Sequence, residues 1–428
     1  MAYRLPLTAE AFGDALRKGL GRAVQHLRFH GDTEVRAELL EAVTRNLAYD
    51  PQSEGTRGVW LADMLDLLPD ANRYWAAVKA AYARAAASRV ADPWDVAHLA
   101  QLLRLRAERG DAAAAEVLRA GSVDLPLRML ELVGPELLLL DGLEALPALA
   151  ARFGADGTGE GGWLFAVASE TFGSGPVEAI LAAAADPRAR AYLGANREAD
   201  VAAPSRRGGW VEFLAELDRK PRRSTSLAFA RRATTEELSL LVEAIDAGGP
   251  HLELLLHAGR ERLPRMPTRL VELATGDGPV ARAAIEALVQ FRTPENLVLG
   301  RRLVEAGRFD GVRLLGAAGD EEVAGLADRL PAQGSVEMLH HIGMDLLDLC
   351  EGRGQLVAPV LIWMVETTPC SFCRHSALDR LLALGAVTAE LAEEARGTIR
   401  TVRRGPCSPR IPSFHNAPYA RRLPAPDV

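Results

Sequence analysis

Two cysteines three positions apart, Cys370 and Cys373, are the residues best placed to do chemistry in this chain. They follow Thr368 and Pro369. If Thr368 caps a helix that begins at Pro369, Cys370 lies in the first turn, where helix-end amides stabilise a thiolate. Cys373 then lies one turn later on the same side of the helix. This geometry would suit a thiol-redox pair.

The same two thiols supply half of a tetrahedral zinc site, which needs two more ligands. His375 is the nearest candidate in sequence, and His340, His341 and Cys350 precede the pair. No second CxxC or HxxxH motif completes the set. A third interpretation, that both cysteines are small residues packed in a helical core, is the one we favour. It predicts slow thiol labelling and little bound zinc.

A second group of side chains could bind anions. Residues 201–234 contain the stretches APSRRGG and DRKPRRSTS on either side of a short predicted helix, WVEFLAELD. The candidate anion-binding patch consists of Arg206, Arg207, Arg219, Lys220, Arg222 and Arg223. Proline and glycine interrupt the helical pattern around these residues, so the pattern favours a solvated linker.

Other patterns that resemble catalytic or metal sites are incomplete. His26 and His30 stand four apart on a predicted helix, yet no third ligand accompanies them, so we interpret them as helix-end histidines. The glycine-rich run at 154–162 lacks the lysine and the serine or threonine of a phosphate loop, so we predict a flexible loop. We predict no catalytic residue and no cofactor, and a non-enzymatic protein is favoured over an enzyme.

Helices must position all of these groups. Four pairs place an oxygen-bearing cap before a proline, which is a typical helix start: Asp92-Pro93, Asp186-Pro187, Thr293-Pro294 and Thr368-Pro369. Thr234 and Glu237 match a capping box. No stretch shows sustained alternation of β-branched residues, which strands would require. The sequence therefore predicts an all-α fold.

Helical periodicity also defines individual helices. The clearest is residues 277–291, which opens with Asp277 as a predicted cap and continues with small or apolar residues at helical spacing. Near the N-terminus, Leu16, Leu20, Val24 and Leu27 fall along one side of a predicted helix. Gly31 and Asp32 form the predicted turn and the cap of the next helix.

Composition limits the classes of protein that fit. The net charge is −7, and an acidic protein repels a phosphate backbone, so nucleic acid is disfavoured and a basic protein partner is favoured. Four cysteines are too few for a disulfide framework. The longest apolar run, LVAPVLIWMV from Leu356, is too short to span a membrane. We predict a cytoplasmic protein without membrane association.

Residues 20–396 resemble a family of bacterial HEAT-repeat proteins without an assigned activity. The stretches that carry the resemblance are DTEVRAELLEAV from Asp32, DPWDVAHLAQLLRLRAERGD from Asp92, ARAAIEAL from Ala281 and TPCSFCRHSALDRLLALGAV from Thr368. The resemblance implies an α-solenoid of helical hairpins and no known activity. The wider superfamily includes DNA glycosylases and bilin lyases, but no stretch here matches their catalytic residues specifically.

These patterns divide the chain into four predicted parts. They are an N-terminal helical repeat region (1–200), a basic linker (201–234), C-terminal HEAT-like repeats (235–396) and a disordered basic tail (397–428). The tail departs from the resemblance because members of the family continue with an acidic helical segment. A one-base shift in plausible codons for GTIRTVRR can spell an acidic stretch, so we hypothesise that 397–428 is a frameshift product or an unstructured tail.

A repeat scaffold is defined by how its units stack and not by a reaction. The favoured function is accordingly a non-enzymatic scaffold or adaptor that binds another protein, with basic character, through a curved helical-repeat surface. Two alternatives from other classes stay open. One is a nucleic-acid-binding or DNA-repair protein that uses the basic patch. The other is a thiol-redox or zinc-dependent function at Cys370 and Cys373.

Overall fold

The computed structural model describes residues 5–88, 90–154, 161–201 and 209–398 of the 428-residue chain. Within these ranges every regular element is a helix and no strand occurs, so the described chain is all-α, as the sequence predicts. Two compact units are present. The first comprises the described residues of Met1–Ala203, Cys370–Phe372 and Thr388–Val428, and the second those of Pro204–Pro369 and Cys373–Val387.

The helices of the first unit follow one another through short turns. They are α1 (Ala9–Lys18), α2 (Gly21–His30), α3 (Arg36–Thr44), α4 (Pro51–Glu54), α5 (Gly58–Leu65), α6 (Asn72–Ala86), α7 (Pro93–Glu108), α8 (Ala112–Ser122), α9 (Leu127–Asp141), α10 (Leu146–Gly154), α11 (Gly162–Phe172), α12 (Ser174–Ala182) and α13 (Pro187–Val201), with a 3₁₀ turn at Leu143–Ala145. The last described helix of the chain, which also belongs to this unit, is Ala389–Gly397.

The helices of the second unit are α14 (Trp210–Arg219), α15 (Arg223–Arg232), α16 (Thr235–Ala247), α17 (Leu252–Ala258), α18 (Leu270–Thr275), α19 (Gly278–Leu288), α20 (Pro294–Glu305), α21 (Asp320–Ala324), α22 (Val336–Leu349), α23 (Ala358–Thr367) and α24 (Ser371–Ala383), the first two residues of which count with the first unit. Three 3₁₀ segments, Phe309–Ala317, Gly325–Asp328 and Gln355–Val357, lie between them. The helix Ala389–Gly397 is α25.

The core of the first unit is formed by apolar faces of neighbouring helices. Helix α7 packs against α6, α8 and α9, and α10 packs against α13. Helix α25 lies against α2 in the same unit, where Gly21 is required. A Cβ atom at Gly21 would come within 1.9 Å of the Glu394 carbonyl oxygen. Arg22 beside it donates from Nη2 to Glu394 Oε2 at 2.8 Å, so an ion pair fixes the same contact.

The second unit has its own apolar core. Phe213 of α14 and Phe229 of α15 are both buried and stack with ring centroids 4.1 Å apart. Contacts then run from α15 to α17, from α17 to α19, from α19 to the 3₁₀ segment Phe309–Ala317, and from that segment to α22. This sequence of neighbours brings together the side chains of the site described below.

Several predicted helix starts are confirmed. Asp92 accepts hydrogen bonds from the amides of Trp94 and Asp95 at the start of α7, and Thr293 accepts from Asn296 at the start of α20. Thr234 and Glu237 form the predicted capping box. Each of these contacts joins residues two or three positions apart, which is why the local sequence predicts them.

Other predicted helix boundaries are wrong in whole or in part. Gly19 adopts a left-handed conformation with φ 69°, so the helix predicted through Leu16 and Val24 breaks into α1 and α2. Asp32 does not cap α3, because its carboxylate accepts from Tyr74 and Arg73 instead.

The predicted cap Asp277 does precede α19, but its side chain is fully exposed and makes no capping hydrogen bond. The prediction at Thr368 is also wrong. Thr368 is the residue after α23, its hydroxyl donates to the Met364 carbonyl oxygen at 2.7 Å, and α24 begins only at Ser371. Cys370 therefore precedes the helix instead of lying in its first turn.

The region 201–234, interpreted from the sequence as a linker, contains α14 and α15, and these two helices contribute to the core of the second unit. The sequence predicted the first of them but not the second. The glycine-rich run at 154–162 lies mainly on residues 155–160, and the predicted tail mainly on residues 399–428. Both of those segments are outside the described residues.

Candidate functional site

The second unit contains a groove with a volume of about 920 Å³. It is lined by Arg223, Glu253, His257, Arg260, Glu261, Asp277, Gly278, Pro279, Arg282, Glu286, Val289, Arg308, Asp310, Arg313, His341, Met344, Leu347 and Asp348. A concave site with convergent polar groups is the usual position of a binding site. We call this surface the charged groove.

The charged groove shares part of its lining with a recess of about 220 Å³. The recess is lined by Arg282, Ile285, Glu286, Gly307, Arg308, Phe309, Asp310, Arg313, Met338, His341, Ile342 and Asp345. Ionisable residues from α19, from α22 and from the segment around Phe309–Ala317 meet here, and most of them are only partly exposed.

Glu286 is the acid at the centre of the groove lining. It lies on α19 among buried alanines, and its side chain is only 10% exposed. Its Oε2 atom lies 3.4 Å from His257 Nδ1 and 3.4 Å from Arg223 Nη2. Burial alone would raise the pKa of Glu286, but the nearby His257 ring and the charges of Arg313 and Arg223 together lower it. Glu286 is therefore a carboxylate at neutral pH.

Asp345 on α22 has the opposite behaviour. Arg313 Nε donates to Asp345 Oδ1 at 2.5 Å, while the Nη1 atom of the same arginine lies 3.8 Å from Glu286. Burial raises the pKa of Asp345 to about 7, since the charge of Arg313 offsets desolvation only in part and nearby Asp348 and Glu286 oppose ionisation. Asp345 can therefore gain or lose a proton near neutral pH.

Arg282 and His341 lie on the side of the recess formed by α19 and α22. His341 Nδ1 donates to the Glu337 carbonyl oxygen at 2.7 Å, so the neutral ring carries its lone pair on Nε2. Burial lowers the pKa of His341, and the positive charge of Arg282 lowers it further. The ring of His341 is therefore neutral at neutral pH.

The predicted anion-binding patch is only partly a site. Arg206 and Arg207 lie outside the described residues. Arg219, Lys220 and Arg222 are exposed at the end of α14 and just before α15. Of the four members that the structure describes, Arg223 alone lines the charged groove, where it contacts Glu286.

The cysteine candidates are buried. Cys373 on α24 is 3% exposed, and its Sγ atom lies 3.9 Å from His340 Nδ1 within the second unit. Cys370, which counts with the first unit, is 6% exposed and interacts electrostatically with Arg57 of that unit. His375 Nε2 lies 3.4 Å from Asp379 Oδ2, one turn along α24.

Sequence reasoning did not single out His257, Glu286, Arg313 or Asp345. A signal for two of them exists, because Glu286 and Asp345 are acids at inward positions of otherwise apolar helices, in the stretches AAIEALV and GMDLLDL. A buried acid needs a partner or a shifted pKa, so such positions point to a site. Arg313, which contacts both acids, is 27 positions from Glu286 and 32 from Asp345, so no local pattern identifies it.

Comparison with models of protein families, with curated proteins and with solved structures finds no match to this chain. Among the helices formed by the described residues, none combines the length and the apolar character needed to cross a bilayer.

Proposed function

We propose that this protein is a non-enzymatic scaffold that binds a segment of another protein in the charged groove of the second unit. The observation that carries the proposal is the groove itself. Its volume of about 920 Å³ exceeds what one side chain fills, and charged residues of both signs line it from five neighbouring segments. Such a surface recognises a polar chain by charge complementarity.

We infer further that stacked helical hairpins of HEAT-like character form the scaffold. Within the second unit, α17 and α18 both pack against α19, and α20 packs against the 3₁₀ segment that follows it. Within the first unit, α7 contacts both of the next two helices. Contacts between sequence neighbours are what a repeat architecture requires, since each hairpin buries its apolar face against the next.

The occupant that fits the groove is an extended segment with basic side chains. Four acids are prominent around the opening: Glu253, Glu261, Asp277 and Asp348. Arg260 lies 2.9 Å from Glu261 and Arg308 lies 4.0 Å from Asp277, but the side chains of the two acids are 70% and 100% exposed, so a partner can still reach both carboxylates. Basic residues of a partner would be steered toward them, and the association should weaken with salt.

A photo-crosslinking experiment tests this proposal. The full-length chain carrying benzoyl-phenylalanine at Val289, which lines the groove, is irradiated in lysate of the source cells at several salt concentrations. Val298 on α20 serves as the matched control because it is also an exposed valine of the second unit and is not among the groove residues. We expect one protein to crosslink at position 289 and not at 298, through a peptide rich in lysine or arginine.

The charge dependence sharpens that experiment. Neutralising the opening with E261Q, D277N and D348N should reduce the crosslink at position 289. Three substitutions at exposed acids of the second unit that do not line the groove, E272Q, E295Q and E305Q, should not. Equal crosslinking at positions 289 and 298, or a crosslink insensitive to the three neutralised acids, would contradict the proposal.

Nucleic-acid binding is a second candidate that one observation favours. Arg219, Lys220, Arg222, Arg231 and Arg232 are exposed, and within the described ranges none has a carboxylate at ion-pair distance. We expect, on this alternative, that a fluorescent duplex or single strand binds with a steep dependence on salt. Neutralising the five residues in the full-length chain should weaken binding and flatten that dependence. Unchanged binding would exclude them as the contact.

The thiol alternative has narrower support. Within the second unit Cys373 and His340 could supply two zinc ligands, and their distance of 3.9 Å is compatible with a shared ion. Metal analysis of the purified protein and of the C370S and C373S variants tests it. Close to one zinc per chain, lost in both variants, would replace the packing interpretation. Little zinc and slow alkylation at neutral pH would support that interpretation.

A further inference from the structure

We propose that the recess beside the charged groove binds one carboxylate, supplied by an acidic side chain of the partner segment, with Arg282 as its main contact. The inference rests on the proposed function, because it names the chemistry of one position in the same ligand. It starts from the pairing of the three arginines that line the recess.

Two of these arginines are already committed to acids of the protein. Arg308 Nη2 lies 3.1 Å from Asp310 Oδ2, and Arg313 Nε donates to Asp345 at 2.5 Å. Arg282 is different, because no carboxylate lies at ion-pair distance from it in the part of the chain that the structure describes, and its side chain is exposed at the recess. One cation of the recess is thus available to a ligand.

The unpaired charge of Arg282 affects the protonation of the His341 ring. Its charged surroundings are contributed by α19, by the segment around Phe309–Ala317 and by α22 itself, and they comprise Arg282, Glu286, Arg308, Asp310, Arg313, His340 and Asp345. The groups that act on its charge are Arg282, His340 and Arg313, and each of them disfavours the protonated ring. An anion bound at Arg282 would reverse that effect and allow Nε2 to take up a proton and donate to the bound oxygen.

The recess selects a single negative charge. Glu286, Asp310 and Asp345 lie around the same cavity of about 220 Å³, so a dianion would meet repulsion from several carboxylates. A carboxylate adds one charge and meets one available guanidinium, with which it can form two parallel hydrogen bonds. Glutamate or aspartate in the partner segment supplies this group, flanked by the basic residues expected at the groove opening.

Nuclear magnetic resonance of the histidine rings of the full-length protein tests the proposal. The His341 signal is assigned by its loss in H341Q, and its pKa is followed by titration. The probes are acetyl-Ala-Glu-Ala-amide, its glutamine counterpart and inorganic phosphate. We expect the glutamate peptide to shift the His341 signal saturably and to raise the pKa of His341, because a bound anion stabilises the imidazolium. The glutamine peptide should do neither.

Matched variants locate the contact. R282Q should weaken binding of the glutamate peptide about tenfold or more, while R282K should retain part of it. Arg292 is the control, since it is an exposed arginine nearby in the chain that does not line the recess, and R292Q should bind as the parent does. R282Q should also raise the pKa of His341 in the absence of ligand, because the charge of Arg282 lowers that pKa in the parent. This rise would show that Arg282 lies close to the His341 ring.

Three results would overturn the inference. Equal shifts with the glutamate and glutamine peptides would show that charge is not recognised. Undiminished binding in R282Q would move the contact elsewhere. Phosphate that binds at least as tightly as the glutamate peptide would contradict the selection of a single charge. If the crosslink from position 289 persists while the His341 signal ignores the glutamate peptide, the groove proposal stands and the recess proposal fails.

Discussion

Each unit contains a buried aspartate beside an arginine, yet the two carboxyl groups are shifted in opposite directions. In the first unit, burial alone would raise the pKa of Asp32, but hydrogen bonds from Tyr74 and Arg73 together hold it below its usual value. In the second unit, burial prevails over the single hydrogen bond from Arg313 and raises the pKa of Asp345 to about 7.

The ratio of donors to carboxylates explains the difference. Asp32 receives two donors, the hydroxyl of Tyr74 and the guanidinium of Arg73. In the second unit one arginine serves two acids, since Arg313 lies between Asp345 and Glu286. A buried charge is stabilised only when its hydrogen bonds and counter-charge replace the lost water. Asp32 is thus an ionised structural group at neutral pH, whereas Asp345 remains able to exchange a proton beside the recess.

The pH dependence of stability gives the largest expected contrast. The pKa of Asp345 in the folded chain, about 7, exceeds the unfolded value of about 3.9, so the native state binds the extra proton between these limits. Stability from this group is complete below the unfolded value and is lost as pH rises through 7. D345N lacks the effect. Relative to the parent, it should therefore gain about 3 kcal/mol between pH 4.5 and 7.5.

Hydrogen exchange in peptides from α22 measures that gain within the second unit, which avoids assuming that both units unfold together. D32N is the opposite control. Because the pKa of Asp32 is lowered in the folded chain, its contribution is present above the unfolded value and is lost as pH falls through the folded one. The difference between D32N and the parent should shrink on acidification. Parallel pH profiles for D345N and the parent would show that Asp345 is not a protonation site.

Removal of each arginine is the second contrast. R313M leaves two carboxylates without their shared cation and should cost about 2 kcal/mol, below the roughly 3–5 kcal/mol of a fully buried pair because Arg313 is 28% exposed. R73M should cost less than R313M, since Arg73 is 34% exposed and Tyr74 still donates to Asp32. Hydrogen exchange in α22 and in α3 reads the two effects separately.

The double variant R313M/D345N should recover most of the loss caused by R313M, because it removes the acid that is left unpaired. A larger cost for R73M than for R313M would reverse the comparison. It would mean that the exposed arginine, and not the shared one, controls its carboxylate.

Removal of one neutral donor is the smallest contrast. Burial, and then the hydrogen bond to Asp32, raises the pKa of Tyr74 to about 12, so its hydroxyl stays protonated and donates. Y74F should destabilise the first unit by about 1–2 kcal/mol and raise the pKa of Asp32. Y82F is the matched control, since the Tyr82 hydroxyl meets the neutral Ser122 hydroxyl at 2.8 Å and no charge depends on it. An equal or larger cost for Y82F would argue against ionised Asp32.

How far the sequence predicts the site depends on the span of each contact. Thr234 and Glu237 were predictable as a capping box because both partners lie within one helical turn. The local sequence suggested only a cap at Asp32, because Tyr74, which donates to its carboxylate, is 42 positions away. The wrong prediction at Thr368 has the same origin, since its hydroxyl turned back to the carbonyl of Met364 at the end of α23.

By itself the sequence determined the all-α class and many helix starts of this protein. Helical periodicity, caps and prolines act through hydrogen bonds and torsion angles within a few residues, so their pattern is readable along the chain. Only the tertiary structure decided which acids are buried, which arginine they share and where the groove lies. Glu286 and Asp345 become one electrostatic system because α19, the segment Phe309–Ala317 and α22 pack side by side. Desolvation and Coulomb energy depend on that distance in space and not on separation in sequence.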